Sequence, residues 1–127
     1  MPDRVICIIS AETITLADGE HYAGLILNDD GTPSHHLVLL PGDHDDTTWQ
    51  AAVDWAKEQG GELPTRREQS LLFVNGKQHF EPDWYWSGEQ HASEPSYAWC
   101  QNFDNGLQYD DHIGSQCRAR SVRRLPI

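Results

Sequence analysis

The sequence predicts a single α+β domain over residues 1–127. Short apolar runs between turn residues, which are typical of strands, fill residues 5–40 and return from residue 80 onward. Between them, residues 47–76 carry apolar positions at the three- and four-residue spacing of helices. The predicted order is therefore strands, two helices and then strands again, with no linker or internal repeat. This order is typical of an α+β domain. The length is sufficient for one hydrophobic core.

The first third of the chain is predicted to consist mostly of strands. The run VICIIS at 5–10 is apolar, and the Asp18-Gly19 dipeptide predicts a hairpin between two strands. The cluster NDDGTPS at 28–34 predicts a turn, and the run HHLVLL at 35–40 predicts a further strand.

The predicted first helix carries four apolar residues on one face: Trp49, Ala52, Val53 and Ala56. Thr47 and Gln50 resemble a capping box, in which each side chain bonds a backbone amide that the helix leaves unpaired. Gly60 and Gly61 predict the end of the helix, because glycine readily adopts the left-handed conformation that closes many helices.

The second helix is predicted to follow at once. Thr65 is its expected N-cap, and Glu68 stands three residues later as the second member of a capping box. An apolar run at 71–73 supplies the buried face, and Gly76 marks the expected end.

From residue 80 onward the pattern predicts strands and long turns. The runs DWYWSGE at 83–89 and YAWCQNF at 97–103 are expected strands, and Asn105-Gly106 is a strong hairpin signal. The last run, RARSVRRL at 118–125, holds four arginines. Because the protein is strongly acidic, we expect these arginines to form internal salt bridges rather than a basic patch.

The formal net charge is −11. An acidic surface repels phosphate, so we expect no nucleic-acid partner. The charge favours either simple solubility or a basic partner protein. The longest apolar runs, at 5–9 and 37–41, are too short for a membrane span, so we expect no membrane association.

Residues 47–125 resemble the lectin-like domains named for the C-terminal domain of collagen-like bacterial adhesins. The most specific pieces of the resemblance are GGELPTRREQ at 60–69, WYWSGEQ at 84–90 and VRRL at 122–125. Such domains are frequent in bacterial surface proteins and in phage and prophage genes, and most have no known activity. They are related in fold to the C-type lectins and to the formylglycine-generating enzymes.

The resemblance implies a C-type-lectin-like fold, with two helices packed on a twisted antiparallel sheet that carries long loops. Residues 46–127 would form this lectin-like core, and residues 1–45 a strand-rich lead. Several aromatics of the central strands would then be core residues, Trp84, Trp86 and Trp99 among them.

The loops that follow the strands are the expected recognition surface, because tyrosine offers contact area at low entropy cost and polar neighbours offer hydrogen bonds. Ordinary solvated loops are the alternative. The two loops are residues 87–96 and 104–116. The candidate binding residues in and beside them are Glu89, Gln90, His91, Tyr97, Asn105, Tyr109, Asp110, Asp111 and His112.

No metal or cofactor is predicted. The sequence EPD at 81–83 resembles the Glu-Pro-Asn motif of C-type lectins, but the companion Trp-Asn-Asp motif is missing. Cys100 and Cys117 form no CxxC motif and are expected to be reduced thiols, although a disulfide between them stays open. We expect no catalysis, since no nucleophile motif is present.

Together with these observations, the resemblance implies a non-enzymatic, lectin-fold binding protein of phage or prophage origin, whose loops bind a protein partner. It would be a virion accessory or receptor-recognition component that contacts a phage structural protein or a host protein. The alternatives are an intracellular effector that inhibits a host defence protein through its acidic surface, and a glycan-binding lectin. A homo-oligomer stays open. Without a signal peptide, we expect it in the bacterial host cytoplasm or in the virion.

Overall fold

A computed structural model of the chain describes residues 13–127, so the predicted strand at 5–10 lies outside the described residues. The described part is an α+β protein, which confirms the predicted class. Its strands are β1 (His21–Leu27), β2 (Pro33–Leu39), β3 (His44–Thr47), β4 (Trp84–Gln90), β5 (Tyr97–Asn102), β6 (Gln108–His112), β7 (Cys117–Ala119) and β8 (Val122–Pro126). Its helices are α1 (Trp49–Glu58) and α2 (Arg66–Gly76), with a 3₁₀ turn at Lys77–His79. Neither α-helix has the length and apolar content that a membrane crossing needs.

The strands form a three-stranded and a five-stranded sheet. The smaller sheet has the order β1-β2-β8 and is antiparallel, and the larger has the order β3-β7-β4-β5-β6. The expected antiparallel arrangement is wrong at one pair, because β4 and β7 pair in parallel through Tyr85 and Arg118. The antiparallel pairing of β7 with β3 and the ion pair of Arg118 with Asp43 (2.8 Å) hold β7 in this place.

Two hydrophobic clusters lie on opposite faces of β4, since successive strand residues point to opposite sides. Tyr85 faces the cluster that packs α2 against β1 and β2, and Trp86 faces the cluster that contains α1. Trp86 is fully buried, as expected for a core aromatic, whereas Trp84 and Trp99 are only half-buried. These two tryptophans therefore border the surface.

The segment before β1 departs from the predicted hairpin. A turn forms at 18–19, but residues 13–17 are not in a strand. Arg123 of β8 holds this segment instead, because its guanidinium donates to the Thr15 carbonyl at 3.2 Å and to the Glu20 carboxylate at 2.9 Å. The predicted turn at 28–34 and the strand after it are confirmed by the β1–β2 hairpin.

Both predicted helices are present, but the predicted cap of α1 is wrong. Its N-cap is Thr48, whose side chain makes no capping hydrogen bond. Thr47 belongs to β3, where its carbonyl accepts a hydrogen bond from the Trp86 indole at 2.8 Å. The Gln50 side chain donates to Asp54 at 3.1 Å. The Trp49 amide at the start of α1 donates instead to the Ile113 carbonyl at 3.1 Å, so a tertiary hydrogen bond takes the place of a local cap.

The predicted capping box of α2 is confirmed and reaches further than the helix. Thr65 Oγ1 accepts from the Glu68 amide at 3.1 Å, and Glu68 Oε1 accepts from the Thr65 amide at 2.8 Å. The Glu68 carboxylate also binds Arg124 of β8 at 2.7 and 2.8 Å and His35 of β2 at 2.7 Å. Burial alone would raise the pKa of Glu68, but the hydrogen bonds from Arg124 and Thr65 keep it below its ordinary value.

The Gly60-Gly61 pair ends α1, as predicted, and serves two separate purposes. Gly60 takes the left-handed conformation, with φ of +88°. Gly61 packs directly on β8, where Glu62 and Val122 exchange backbone hydrogen bonds of 2.9 and 2.8 Å. A Cβ atom at Gly61 would lie 2.2 Å from the Val122 carbonyl oxygen. The contact between this turn and β8 therefore requires glycine.

A stacked histidine pair joins β1 to the 3₁₀ turn. The rings of His21 and His79 lie 3.6 Å apart between centroids and 13° from parallel. Burial, together with the nearby His21 and Arg120, lowers the pKa of His79 from its ordinary value of 6.5. Because the unfolded chain then binds a proton more readily than the folded one, His79 lowers the stability as pH falls below 6.5.

Replacing His79 by glutamine should therefore flatten the pH dependence of stability. We expect the wild type to lose more of its free energy of unfolding than His79→Gln between about pH 7 and about pH 5. Urea denaturation at the two pH values measures both losses. Equal losses in the two proteins would show that His79 does not resist protonation in the folded state.

Candidate functional site

The β5–β6 hairpin forms one edge of the five-stranded sheet and exposes large side chains. The predicted hairpin signal is confirmed, with Asn102 Oδ1 accepting the Asp104 amide at 2.7 Å and Gly106 at a φ of +82°. Three large hydrophobic residues on or beside it are strongly exposed, namely Tyr97 at 37%, Leu107 at 50% and Tyr109 at 57%. Exposed aromatic area of this kind is typical of recognition surfaces.

A hollow of about 320 Å³ lies beside Tyr109, between the hairpin and the β3–β7 side of the sheet. We call it the acidic hollow. It is lined by Asp46, Asp83, Trp84, Cys100, Tyr109, Asp110, Asp111, Gln116 and Cys117. Residues from several separate strands and turns thus converge on one concave surface.

Two aromatic rings form a wall of the acidic hollow. Trp84 and Tyr109 lie 5.9 Å apart between centroids, with their planes at 60°. Cys100 pairs with Tyr109 in the β5–β6 ladder, and its thiol donates to the Tyr109 carbonyl at 3.2 Å. The exposed Tyr109 ring is therefore positioned by a backbone that is fixed in the sheet.

The carboxylates of the acidic hollow have no cationic partner in the part of the chain that the structure describes. Asp83 accepts the Trp84 amide at 2.7 Å, and Asp111 accepts the His112 amide at 2.8 Å and the Ser115 hydroxyl at 3.0 Å. These bonds orient the carboxylates but do not neutralise them. The hollow therefore presents uncompensated negative charge beside two aromatic faces.

The arginines are engaged elsewhere, which confirms the expected internal salt bridges for three of the four. Arg118 pairs with Asp43 at 2.8 Å, and Arg123 pairs with Glu20 at 2.9 Å. The third is Arg124, in its pair with the buried Glu68 carboxylate. The fourth, Arg120, is buried and donates instead to backbone carbonyls, among them that of Leu40 at 2.8 Å.

The two thiols at the acidic hollow are buried and reduced, so they do not form the disulfide that the sequence left open. The hydrogen bond with the Cys100 thiol and burial raise the pKa of Cys117 far above its ordinary range. A thiol of this kind stays protonated and is a poor nucleophile. Within residues 13–127, no group of three His, Cys, Asp or Glu side chains is placed to hold a metal ion.

Three predicted binding residues, Glu89, Gln90 and His91, lie at the end of β4, and their contacts are internal. Glu89 Oε2 accepts the Arg66 amide at the start of α2, at 2.5 Å, and the Gln90 side chain donates to the Pro95 carbonyl at 2.9 Å. Glu89 and Gln90 are exposed, and each makes one hydrogen bond within the fold.

His91 belongs to a stack around Trp99. The His91 ring lies 5.7 Å from the Trp99 ring at 20°, and the Arg66 guanidinium carbon lies 3.6 Å from the Trp99 ring centroid. Tyr97 and His112 make an edge contact nearby, at 5.8 Å between centroids. Asn105 stays at the hairpin tip, where its side chain accepts the Leu107 amide at 3.0 Å.

The structure therefore brings together only part of the predicted binding set. Tyr109, Asp110 and Asp111 line the acidic hollow, while the other six residues lie around the Trp99 stack, at the end of β4 or at the hairpin tip. The sequence did not assign Asp46, Asp83 and Trp84 to this site. The acidic runs DHDD at 43–46 and EPD at 81–83 could have indicated Asp46 and Asp83 as site residues. Nothing in the local sequence, however, shows that the two runs come together in the fold.

The sequence matches no model of a known protein family and no curated protein.

Proposed function

We propose that this chain is a non-enzymatic binding protein that holds a basic protein partner at the acidic hollow. The observation that carries the proposal is the convergence of three unpaired aspartates, Asp46, Asp83 and Asp111, on the hollow that the Trp84 and Tyr109 rings line. Arginine and lysine side chains of a partner are the groups that both features attract. The Cys117 thiol of the hollow is a poor nucleophile, because the hydrogen bond with Cys100 and burial raise its pKa.

Magnitudes favour a cationic ligand at this place. A unit positive charge 4 Å from a carboxylate near a protein surface gains about 4 kcal/mol before desolvation costs. A cation over an aromatic ring adds about 0.5–2 kcal/mol. The net charge of −11 also raises the encounter rate with a basic partner, and it does so most at low salt. A nucleic acid has a negatively charged backbone and would gain none of these favourable electrostatic contributions.

We further propose that the α+β architecture is the C-type-lectin-like fold and that the protein comes from a phage or prophage. The support is the resemblance of residues 47–125 together with the two helices and the strand runs that the structure contains. In that setting the partner is a phage structural protein and the chain is a virion accessory or receptor-recognition component. An intracellular effector that inhibits a host protein would use the same acidic hollow, because it needs the same basic partner surface.

The first experiment identifies the partner. Tagged protein is incubated with a host lysate and, separately, with disrupted virions, and stoichiometric partners are identified by mass spectrometry. A phage structural protein supports the virion role, and a host protein moves the chain to the effector role. Specific binding to a sugar array without any protein partner would favour a lectin and contradict the proposal.

The second experiment tests the acidic hollow itself. Replacing Asp83 and Asp111 together by asparagine keeps the side-chain acceptors that orient both residues but removes two negative charges. We expect this variant to bind the identified partner at least about tenfold more weakly, with a smaller salt dependence. The control, Glu58→Gln with Glu94→Gln, removes the same charge at two exposed residues outside the hollow. Equal affinities of the two double variants would rule out the hollow as the binding site.

A further inference from the structure

Strand β6 is the last strand of the five-stranded sheet, so one of its edges has no strand beside it in the described structure. The β5–β6 register pairs Cys100 with Tyr109 and Ala98 with Asp111. The bonds Asn102 N to Leu107 O (2.9 Å) and Ile113 N to Ser96 O (2.9 Å) fix the phase of the ladder. By antiparallel alternation, the backbone groups of residues 109 and 111 therefore face β5.

The backbone groups of residues 108, 110 and 112 consequently point away from the sheet. Those of His112 are already satisfied, because its amide donates to Asp111 Oδ1 at 2.8 Å and its carbonyl accepts the Ser115 amide at 2.8 Å. The backbone amides and carbonyls of Gln108 and Asp110 have no such partner among the described residues. This leaves a short open edge of two residues.

The open edge adjoins the acidic hollow. Tyr109 and Asp111 lie on one face of β6, and both line the hollow. In an added strand, a residue that bonds to the Asp110 backbone would have its side chain on the opposite face. The neighbours of that residue in the added strand would direct their side chains toward Tyr109 and Asp111.

Charge decides which strand can use this edge. A second copy of β6 paired antiparallel about Asp110 would place acidic residues directly opposite one another, which is unfavourable. Acidic residues on an edge strand repel most other strands as well. A basic extended segment is the class of strand that these residues attract, and the exposed Tyr97 and Tyr109 rings add contact area.

We infer that β6 accepts an extended basic segment of the partner as a sixth strand of the sheet, with alternate arginine or lysine side chains entering the acidic hollow. This inference rests on the proposed function and adds the backbone pairing by which the partner is held. The pairing specifies an alternating pattern of basic residues, which charge attraction alone does not require.

A blocked seven-residue peptide that alternates threonine and arginine is the probe. If the arginine side chains enter the acidic hollow, the threonines are the residues opposite Asp110, and their backbone amides form the hydrogen bonds with β6. N-methylation of the threonine amides should therefore weaken binding at least about tenfold. N-methylation of the arginine amides, which face away from β6, preserves the charge and should change the affinity less than about threefold. Titration followed by nuclear magnetic resonance measures each affinity and the exchange rate of the Gln108 and Asp110 amide protons.

The expected result is a difference between the two methylated peptides, with slowed exchange at Gln108 and Asp110 when the unmodified peptide is bound. Two methylated peptides of equal affinity, both sensitive to Asp83→Asn with Asp111→Asn, would overturn strand addition and leave the proposed function standing. If no peptide binds even at low salt, both the strand addition and the proposed attraction of basic groups are wrong.

Two variants of Asp110 test the same point from the protein side. Asp110→Pro removes the outward backbone amide at an edge position where proline is tolerated, and Asp110→Asn removes only the charge. We expect Asp110→Pro to bind the peptide at least about tenfold more weakly than Asp110→Asn, with both variants folded by circular dichroism. Equal binding, or a free-protein dimer that already protects the Asp110 amide, would overturn the inference.

Discussion

Replacing Glu68 by alanine is expected to lower the free energy of unfolding by about 3–5 kcal/mol, the cost of breaking a buried ion pair. The Glu68 side chain is 1% exposed and binds Arg124 through both carboxylate oxygens. Alanine would leave the guanidinium of Arg124 half-buried with only the exposed Glu62 as its carboxylate partner. It would also remove the second half of the capping box at Thr65. Urea denaturation at neutral pH measures the loss.

Glu68→Gln is the control that separates charge from shape. Glutamine can keep the capping bond to the Thr65 amide but cannot neutralise Arg124. We therefore expect the free energy of unfolding of Glu68→Gln to lie between those of the wild type and the alanine variant. The lowered pKa of Glu68 predicts a stabilising contribution that is complete above about pH 4.5 and is lost as pH falls further. Loss of stability in acid should accordingly be shallower in Glu68→Gln. An alanine variant within about 1 kcal/mol of the wild type would contradict the buried pair.

Replacing Gly61 by alanine is expected to cost about 3 kcal/mol or more, at the upper end of the range for overpacked sites. The added methyl group would lie 2.2 Å from the Val122 carbonyl oxygen and 2.8 Å from Leu40 Cδ1. Because the first of these atoms belongs to the backbone, the contact can be relieved only by moving β8 away from the turn. The expected signature is a lower melting temperature together with loss of protection at the Glu62 and Val122 amides.

Gly60→Ala provides the matched comparison for that result. Gly60 has a positive φ of +88°, but a Cβ there would meet no atom within 4 Å. Alanine at this position should cost only about 1–2 kcal/mol, the strain of a left-handed residue. Two variants of equal stability would show that backbone strain, and not the contact with β8, dominates at this turn.

The capping box of α2 shows what the sequence could reveal about the fold. Thr65 and Glu68 are three residues apart, so their relation is a local property that a sequence pattern encodes. The bonds from Arg124 and His35 to the same carboxylate join distant parts of the chain and leave no local signature. At α1 the local pattern was misleading, because Thr47 is drawn into β3 by pairing and by the Trp86 indole.

In the candidate site, too, the local sequence predicted some residues, and contacts between distant parts of the chain determine the others. The exposed polar character of Tyr109, Asp110 and Asp111 was readable from the hairpin sequence, and these residues do line the acidic hollow. Asp46 and Asp83 reach the hollow only because β3, β7 and β4 are neighbours in the sheet. Glu89 lies in a polar loop that the sequence presents as a binding surface. In the structure its carboxylate accepts the Arg66 amide at the start of α2. The polar and aromatic residues of the loops therefore predicted which residues lie at the surface. The order of strands in the sheet determines which of these residues come together in one site.

The place of β8 beside β2 has a consequence for how the protein is made. The three-stranded sheet cannot be completed until residues 122–126 have left the ribosome, although β1 and β2 are synthesised far earlier. At about 5–20 residues per second, β2 waits for a time on the order of seconds before the strand that pairs with its second edge is synthesised. Nascent chains are therefore most exposed to aggregation during that interval, and a chaperone that shields β2 should raise the yield of folded protein.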